Sequence, residues 1–300
     1  MMFLMLHGVI PAVMVPFIND GKVIDQESLR RHVDFMIVKG VHGFFVNGTM
    51  GEGMVLNNEE RKLVSEIVVE ETAKRIPVVI QVTTTNQEET IELSKHAQDI
   101  GADGISIIAP SFYPFDSIAL KDFFEAIARE VPGFPIYLYN NPGRSGNVIT
   151  PKLTAELANK WPNILGIKDS SKDIMLFQEY IEKTTREDFA CIIGTDGMVL
   201  TSLYIGGTGV VSAIANPYPE PFVKLYQAFN NHDFKEAAKQ NYLISQLRDV
   251  LKIGPYLAAY KYAIETRGYR FSGLRKPLRD FTAQEKATFE AALAKLDLNF

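Results

Sequence analysis

The chain has 300 residues, 46% hydrophobic and 22% charged, enough to bury a substantial core and unlike any disordered or collagen-like composition. Its 31 basic and 36 acidic residues leave a formal net charge of −5, which gives no electrostatic footprint for nucleic acid or an anionic membrane. The single cysteine, Cys191, excludes an internal disulfide and reads as a buried, inert thiol in a reducing cytoplasm.

Along the chain, Val9, Ile10, Val13, Val15 and Phe17 predict a buried strand. A signal or membrane span is not expected, because Pro11 and Pro16 interrupt the uncharged stretch Met1 to Asn19 and no basic segment precedes it. Asp25 to Lys39 has helical spacing and closes at Gly40, and Val41 to Val46 is again a short apolar run. The unit then recurs. Helical Glu59 to Ala73 precedes extended Pro77 to Val82, Gln87 to Ile100 precedes Gly104 to Ile108, and Ser117 to Arg129 precedes Pro135 to Tyr139. Pro151 to Asn159 leads to Ile164 to Ile167, Ile174 to Lys183 to Phe189 to Ile193, and Gly197 to Ile205 to Gly209 to Ser212.

Eight near-continuous apolar strands spaced by roughly 25–35 residues match a single (β/α)8 barrel, the TIM-barrel class, better than two doubly wound domains. Gly206-Gly-Thr-Gly209 precedes a strand and reads as a tight turn rather than a phosphate cradle. After the rigid turn Asn216 to Pro221, the segments Phe222 to Asn230, Phe234 to Leu251, Tyr256 to Thr266 and Ala283 to Leu296 look helical. The expected division is a barrel over 1–218 and a C-terminal helical extension over 219–300, packed on it.

Barrel active sites lie at the C-terminal strand ends, so the polar residues there are the ones to weigh. Lys168 ends the run Ile164 to Lys168, where desolvation would lower its pKa and supply a neutral amine able to attack a carbonyl. The same position fits a lysine paired with Asp169 or Asp196 at a solvated strand end. Tyr139 could carry protons or be an ordinary core tyrosine. Gly48-Thr-Met-Gly51 offers backbone N–H groups to a carboxylate, and Glu52 fits equally a buried structural acid or a role at the site. The five histidines are scattered with no metal-ligand pairing, and no nucleophile elbow or P-loop is present.

Taken in register, Gly48-Thr-Met-Gly-Glu52, Tyr139-Asn-Asn-Pro-Gly-Arg-Ser-Gly146, Gly166-Ile-Lys-Asp-Ser-Ser171 and Gly206-Gly-Thr-Gly-Val-Val-Ser-Ala213 resemble the dihydrodipicolinate synthase / N-acetylneuraminate lyase family. The resemblance implies a (β/α)8 barrel that joins or cleaves pyruvate and an aldehyde through a lysine Schiff base. It implies a small-molecule enzyme of the cytoplasm, usually a tetramer of dimers, with no metal or organic cofactor. By the same resemblance Lys168 is the Schiff-base lysine, Tyr139 the proton shuttle and Thr49 its relay. Arg144 then holds the aldehyde's carboxylate, and Val211 shapes the pyruvate pocket.

Three departures stand out. Met50 takes the place of a second hydroxyl residue that helps hold the pyruvate carboxylate. Phe112 takes the place of a tyrosine that reaches into a neighbouring subunit's site, leaving Tyr113 as the candidate contact with substrate. Around Asn57, Asn58, Arg61, Asn86 and Thr90 the chain resembles the lysine-sensing region of feedback-inhibited synthases, but Asn58, Arg61, Thr90 and Ser111 differ, and lysine feedback is not expected. Met50 and Phe112 favour a 2-keto-3-deoxy acid aldolase, which is the expected activity; the alternative, favoured by Arg144, is a 4-hydroxy-tetrahydrodipicolinate synthase using pyruvate and aspartate semialdehyde. A non-catalytic keto-acid-binding homologue is the reading from outside enzymology.

Overall fold

The computed structural model describes residues 5–298, so Met1 to Leu4 of the uncharged N-terminal stretch and residues 299–300 of the extension lie outside it. The strands are β1 (Gly8–Pro11), β2 (Phe17–Ile18), β3 (Val23–Ile24), β4 (Phe44–Val46) and β5 (Val78–Gln81), followed by β6 (Gly104–Ile108), β7 (Ile136–Asn140), β8 (Ile164–Asp169), β9 (Ala190–Ile193) and β10 (Gly209–Ser212). All but β2 and β3 form one parallel sheet in the order β1-β10-β9-β8-β7-β6-β5-β4. It curls back on itself where Ala12 bridges Phe45 and the Val13 N–H donates to the Phe45 carbonyl at 2.9 Å. The eight expected strands are all present as a (β/α)8 barrel.

One expectation is corrected. The first strand does not run on to Phe17 but stops at Pro11, and Phe17–Ile18 pairs with Val23–Ile24 in a separate antiparallel hairpin. Two prolines supply no N–H for a ladder, and the apolar side chains between them are buried differently. Met14 N–H donates to Asn216 Oδ1 at 3.0 Å, and Phe17 N–H to the Ser272 carbonyl at 2.9 Å.

The covering helices are α1 (Gln26–Val38), α2 (Asn58–Thr72), α3 (Gln87–Asp99), α4 (Ser117–Glu130), a single turn α5 (Pro142–Ser145), α6 (Pro151–Lys160), α7 (Ile174–Lys183) and α8 (Val199–Tyr204). Their starts follow the chain's own capping chemistry. Asp25 accepts from Ser28 N–H, Asn57 and Glu60 form a reciprocal capping box, and Pro151 stands at the first turn after Thr150. Beyond the barrel come α9 (Glu220–Asn230), α10 (Phe234–Val250), α11 (Ala258–Thr266) and α12 (Ala283–Leu293). The pair α9 and α10 packs together, α9 against β1 and α10 against the 3-10 turn Asp196–Met198 at the top of β9.

A buried ion pair ties this extension to the loop after β4. Lys261 Nζ of α11 lies 2.5 Å from Glu52 Oε1 and donates to the carbonyls of Val15 at 2.7 Å and Gly273 at 2.6 Å. Burial pushes the Glu52 carboxyl up and the Lys261 ammonium down, and each group's charge partly restores the other. Glu52 is therefore a structural acid. Removing one partner strands the other without water, so Lys261→Met is expected to lower stability by about 3–5 kcal/mol. Urea unfolding reads this directly, and a loss below about 1 kcal/mol would show that the pair does not anchor the extension.

Candidate active site

Parallel register sets Lys168 of β8 level with Tyr139 of β7 and Ile192 of β9. Residues level on adjacent strands share a face, so the lysine and the tyrosine enter the barrel mouth side by side. Lys168 is 6% exposed, and its Nζ lies 3.9 Å from the Tyr139 ring centroid and 4.1 Å from that of Phe45. Those two rings meet edge to face, 5.7 Å apart at 81°. Gly194 leaves the space the lysine needs: a Cβ there would stand 2.0 Å from Ser170 Oγ and 3.2 Å from Lys168 Cε.

Asp169 does not pair with Lys168. Its carboxylate accepts from Asn140 Nδ2 at 2.7 Å and from Ser171 Oγ at 2.7 Å, on the other side of the strand. Asp196 acts on the lysine only through space, with one oxygen held by Ser212 Oγ at 2.5 Å. Among the described residues, the solvated ion-pair reading of Lys168 thus has no partner to carry it. Burial pushes the ammonium below the ordinary lysine value, opposed by Tyr139 and by the Asp196 charge. Burial acts upward on the Tyr139 phenol, but the Lys168 charge and hydrogen bonds with Asn141, Thr49 and Ser170 outweigh it and leave that phenol below its usual value. The Asn141 amide donates to its hydroxyl at 2.9 Å. Asp196 is pushed up to about 6 by burial, against the Ser212 hydrogen bond and the Arg248 and Lys168 charges.

A cavity of about 480 Å³ opens above these groups, and Thr49, Met50, Tyr139, Arg144, Lys168 and Val211 all line it. A second cavity of about 330 Å³ shares Thr49, Tyr139 and Arg144 and extends toward Gln81, Ile108 and Ser111. The loop after β4 folds tightly to place Thr49 and Met50, with Asn47 and Glu52 both at positive φ. Gly53 is required there, since a Cβ would stand 2.0 Å from the Asn47 carbonyl oxygen. Among the described residues nothing accepts from the N–H groups of Thr49 and Met50, which leaves both free to hold a small carboxylate. Arg144, on the single turn α5, stacks on Tyr256 with its guanidinium carbon 4.7 Å from the ring centroid.

Tyr113 is the sequence candidate that the fold does not bring to its own chain's cavity. It is 65% exposed and Phe112, at φ 84°, is 85% exposed; the two rings stack edge to face on the outside of the mouth. The cause is Asn147, whose side-chain amide donates to the carbonyls of Pro110 and Tyr113 at 2.8 and 2.9 Å and whose oxygen accepts from Phe115 N–H. Arg61 of the lysine-sensing comparison is buried and donates to the Thr83 and Gln81 carbonyls, a latch between α2 and β5. Sequence reasoning missed Phe45, and it missed Arg248, Lys252, Tyr256 and Tyr260 of the extension, which line the larger cavity. Their only sequence signal is a basic pair four residues apart ahead of Gly254-Pro255.

An eight-stranded parallel barrel with a buried lysine at the end of β8 that has no paired carboxylate among the described residues, a tyrosine against it and an open cavity above is an arrangement in which an amine can attack a carbonyl. The comparisons make this specific: the dihydrodipicolinate synthetase family model matches residues 5–296, and the chain belongs to that family of pyruvate-dependent lyases. It is 37% identical to a 4-hydroxy-tetrahydrodipicolinate synthase of Methanosphaerula palustris over 98% of this chain and 100% of that one. It is 34% identical to an uncharacterized DapA-like lyase of Halobacterium salinarum, over 98% and 95%. Among solved structures, YagE, a prophage protein of E. coli K12 in complex with pyruvate, superposes with a TM-score of 0.94 at 32% identity, covering 98% of this chain and 100% of that one. A dihydrodipicolinate synthase of Aquifex aeolicus gives 0.91 at 28%, covering 97% and 98%. Among the described residues no helix is long and apolar enough to cross a membrane.

Proposed function

We propose that the neutral amine of Lys168 attacks the ketone of pyruvate and that the carbinolamine so formed takes up a proton on its hydroxyl and loses it as water, leaving a cationic imine. A proton then leaves C3, the enamine carbon adds to an aldehyde, and the resulting alkoxide takes up a proton. Tyr139 is the group that moves these protons, with Thr49 relaying to it, and the Thr49 and Met50 N–H groups hold the pyruvate carboxylate. Val211 and Met50 wall the pyruvate pocket. The observation that carries this reading is the burial of Lys168 between Tyr139 and Phe45 with no carboxylate paired to it among the described residues.

For the aldehyde, the first reading is aspartate semialdehyde, making the chain a 4-hydroxy-tetrahydrodipicolinate synthase; the names of its relatives and the place of Arg144 support it. A second reading, cleavage of a 2-keto-3-deoxy acid, draws support from Met50 in place of a hydroxyl residue. In either case Arg144 can grip a carboxylate with two parallel hydrogen bonds. Arg144→Ala is expected to raise the KM for an acidic aldehyde by about 10–100-fold, while pyruvate still adds to Lys168. Equal loss of both would mean that the Arg144 stack on Tyr256 only holds the mouth together.

The working unit under this reading is a homo-oligomer in the cytoplasm, and the substrates are small molecules. Exposed Phe112, Tyr113, Phe115 and Ile118 form an apolar edge beside the smaller cavity, which suits contact with a second copy and gives Tyr113 a route to a neighbour's substrate.

A further inference from the structure

We propose that Tyr256 determines specificity at the ketone end of the larger cavity: its hydroxyl, brought from the C-terminal extension to Met50, is a third donor to the carboxylate of pyruvate. The inference rests on the Schiff-base reading and deepens it by naming what selects the first substrate.

Tyr256 stands between α10 and α11, on a turn whose path its neighbours fix. Gly254 takes φ 75°, and a Cβ there would stand 2.4 Å from the Phe281 ring. Leu257 takes φ 78° although it is not glycine, and its side chain is buried. Leucine rarely adopts that conformation and keeps it only where the surrounding structure enforces it. The turn is also held in register with the loop after β4, which carries Met50. Glu52 of that loop pairs with Lys261 of α11 at 2.5 Å and accepts from the Arg275 N–H at 2.8 Å. The extension and the loop therefore meet as one unit, and the reach of the tyrosine across the mouth is set.

That reach ends at a weak partner. The Tyr256 hydroxyl donates to Met50 Sδ at 3.4 Å, and a thioether is a poor acceptor. Tyr256 is 47% exposed and lines the cavity with Thr49, Met50 and Lys168, so a ligand can reach it. A carboxylate offers about four lone-pair sites, and the free N–H groups of Thr49 and Met50 fill two of them. The Met50 side chain has no donor to add. An unbranched thioether turns readily about its torsions, so a small shift of the sulfur hands the phenolic proton to the charged and far stronger acceptor. The ring meanwhile stays under Arg144, 4.7 Å from the guanidinium carbon, which leaves the hydroxyl separable from the aldehyde's end of the site.

The test reads the pyruvate concentration that half-saturates the borohydride-trapped adduct. Tyr256→Phe keeps the ring under Arg144 and removes only the hydroxyl, and it is expected to raise that concentration about tenfold while changing the KM of the aldehyde less than twofold. Met50→Thr puts a hydroxyl on the loop itself, so the double variant should recover most of the lost affinity, which a merely structural tyrosine would not allow. Pyruvamide, the same ketone with a neutral amide in place of the carboxylate, should bind wild type and Tyr256→Phe within twofold of each other. Unchanged pyruvate affinity in Tyr256→Phe, no recovery in the double variant, or an equal loss on pyruvamide would overturn the role, and a rise in the aldehyde's KM alone would make Tyr256 a prop for Arg144 instead. A wild-type protein that forms no pyruvate adduct on Lys168 would sink the Schiff-base reading beneath it.

Discussion

Lys168→Ala, Lys168→Met and Lys168→Arg should each lose at least about 10⁴ of turnover, about 5.5 kcal/mol of barrier. Arginine cannot rescue because its guanidinium stays protonated and its nitrogen lone pairs are delocalised. Stability should behave in the opposite sense. Burial disfavours the Lys168 ammonium, so folding at neutral pH carries a desolvation cost that methionine does not. Lys168→Met is therefore expected to melt no lower than the wild type while being inactive, a combination that a structural lysine would not give. The pH dependence follows with its sign: the neutral amine is the nucleophile, so adduct formation rises with pH and levels off below the ordinary lysine value of 10.5. A plateau reached only above that value would mean the amine is not desolvated.

Tyr139→Phe is expected to slow turnover by about 10²–10⁴-fold with little change in the amount of pyruvate adduct finally trapped. The ring stays, and with it the wall against Lys168 Nζ at 3.9 Å and the edge-to-face contact with Phe45, so only the hydroxyl and its bonds with Asn141, Thr49 and Ser170 are lost. Pre-steady-state measurement should find both imine formation and the aldol step slowed, since each moves a proton. A variant that binds pyruvate poorly but turns over at the wild-type rate would assign the hydroxyl to binding instead.

The barrel was legible because each strand is a short apolar run bounded by helix caps, and a lysine ending such a run has nowhere to go but the mouth. Lys168, Tyr139, Thr49, Met50, Arg144 and Val211 could be read from strand ends and motif order, and they converge on one cavity. The stretch from Val9 to Phe17 misled because proline-broken apolar sequence buries equally well without a ladder, as Met14 and Phe17 do through Asn216 and Ser272. Phe45 was hidden inside an ordinary strand pattern; its role appears only when the sheet curls and brings β4 across from β8. Arg248, Lys252, Tyr256 and Tyr260 were illegible for a related reason. They belong to the extension, some 80 residues beyond Lys168, and nothing in helical periodicity tells which face will look into the barrel. Tyr113 shows the converse limit: a loop motif names a residue, and Asn147 decides that it faces away from its own cavity.

If Lys168 is the nucleophile, borohydride reduction in the presence of pyruvate, read by intact mass and peptide mapping, fixes the adduct on that residue. Wild-type protein should gain one reduced pyruvyl group per chain, carried on Lys168, and Lys168→Ala should gain none. An unmodified wild-type protein, or an adduct on a different lysine with Lys168 untouched, would contradict the account.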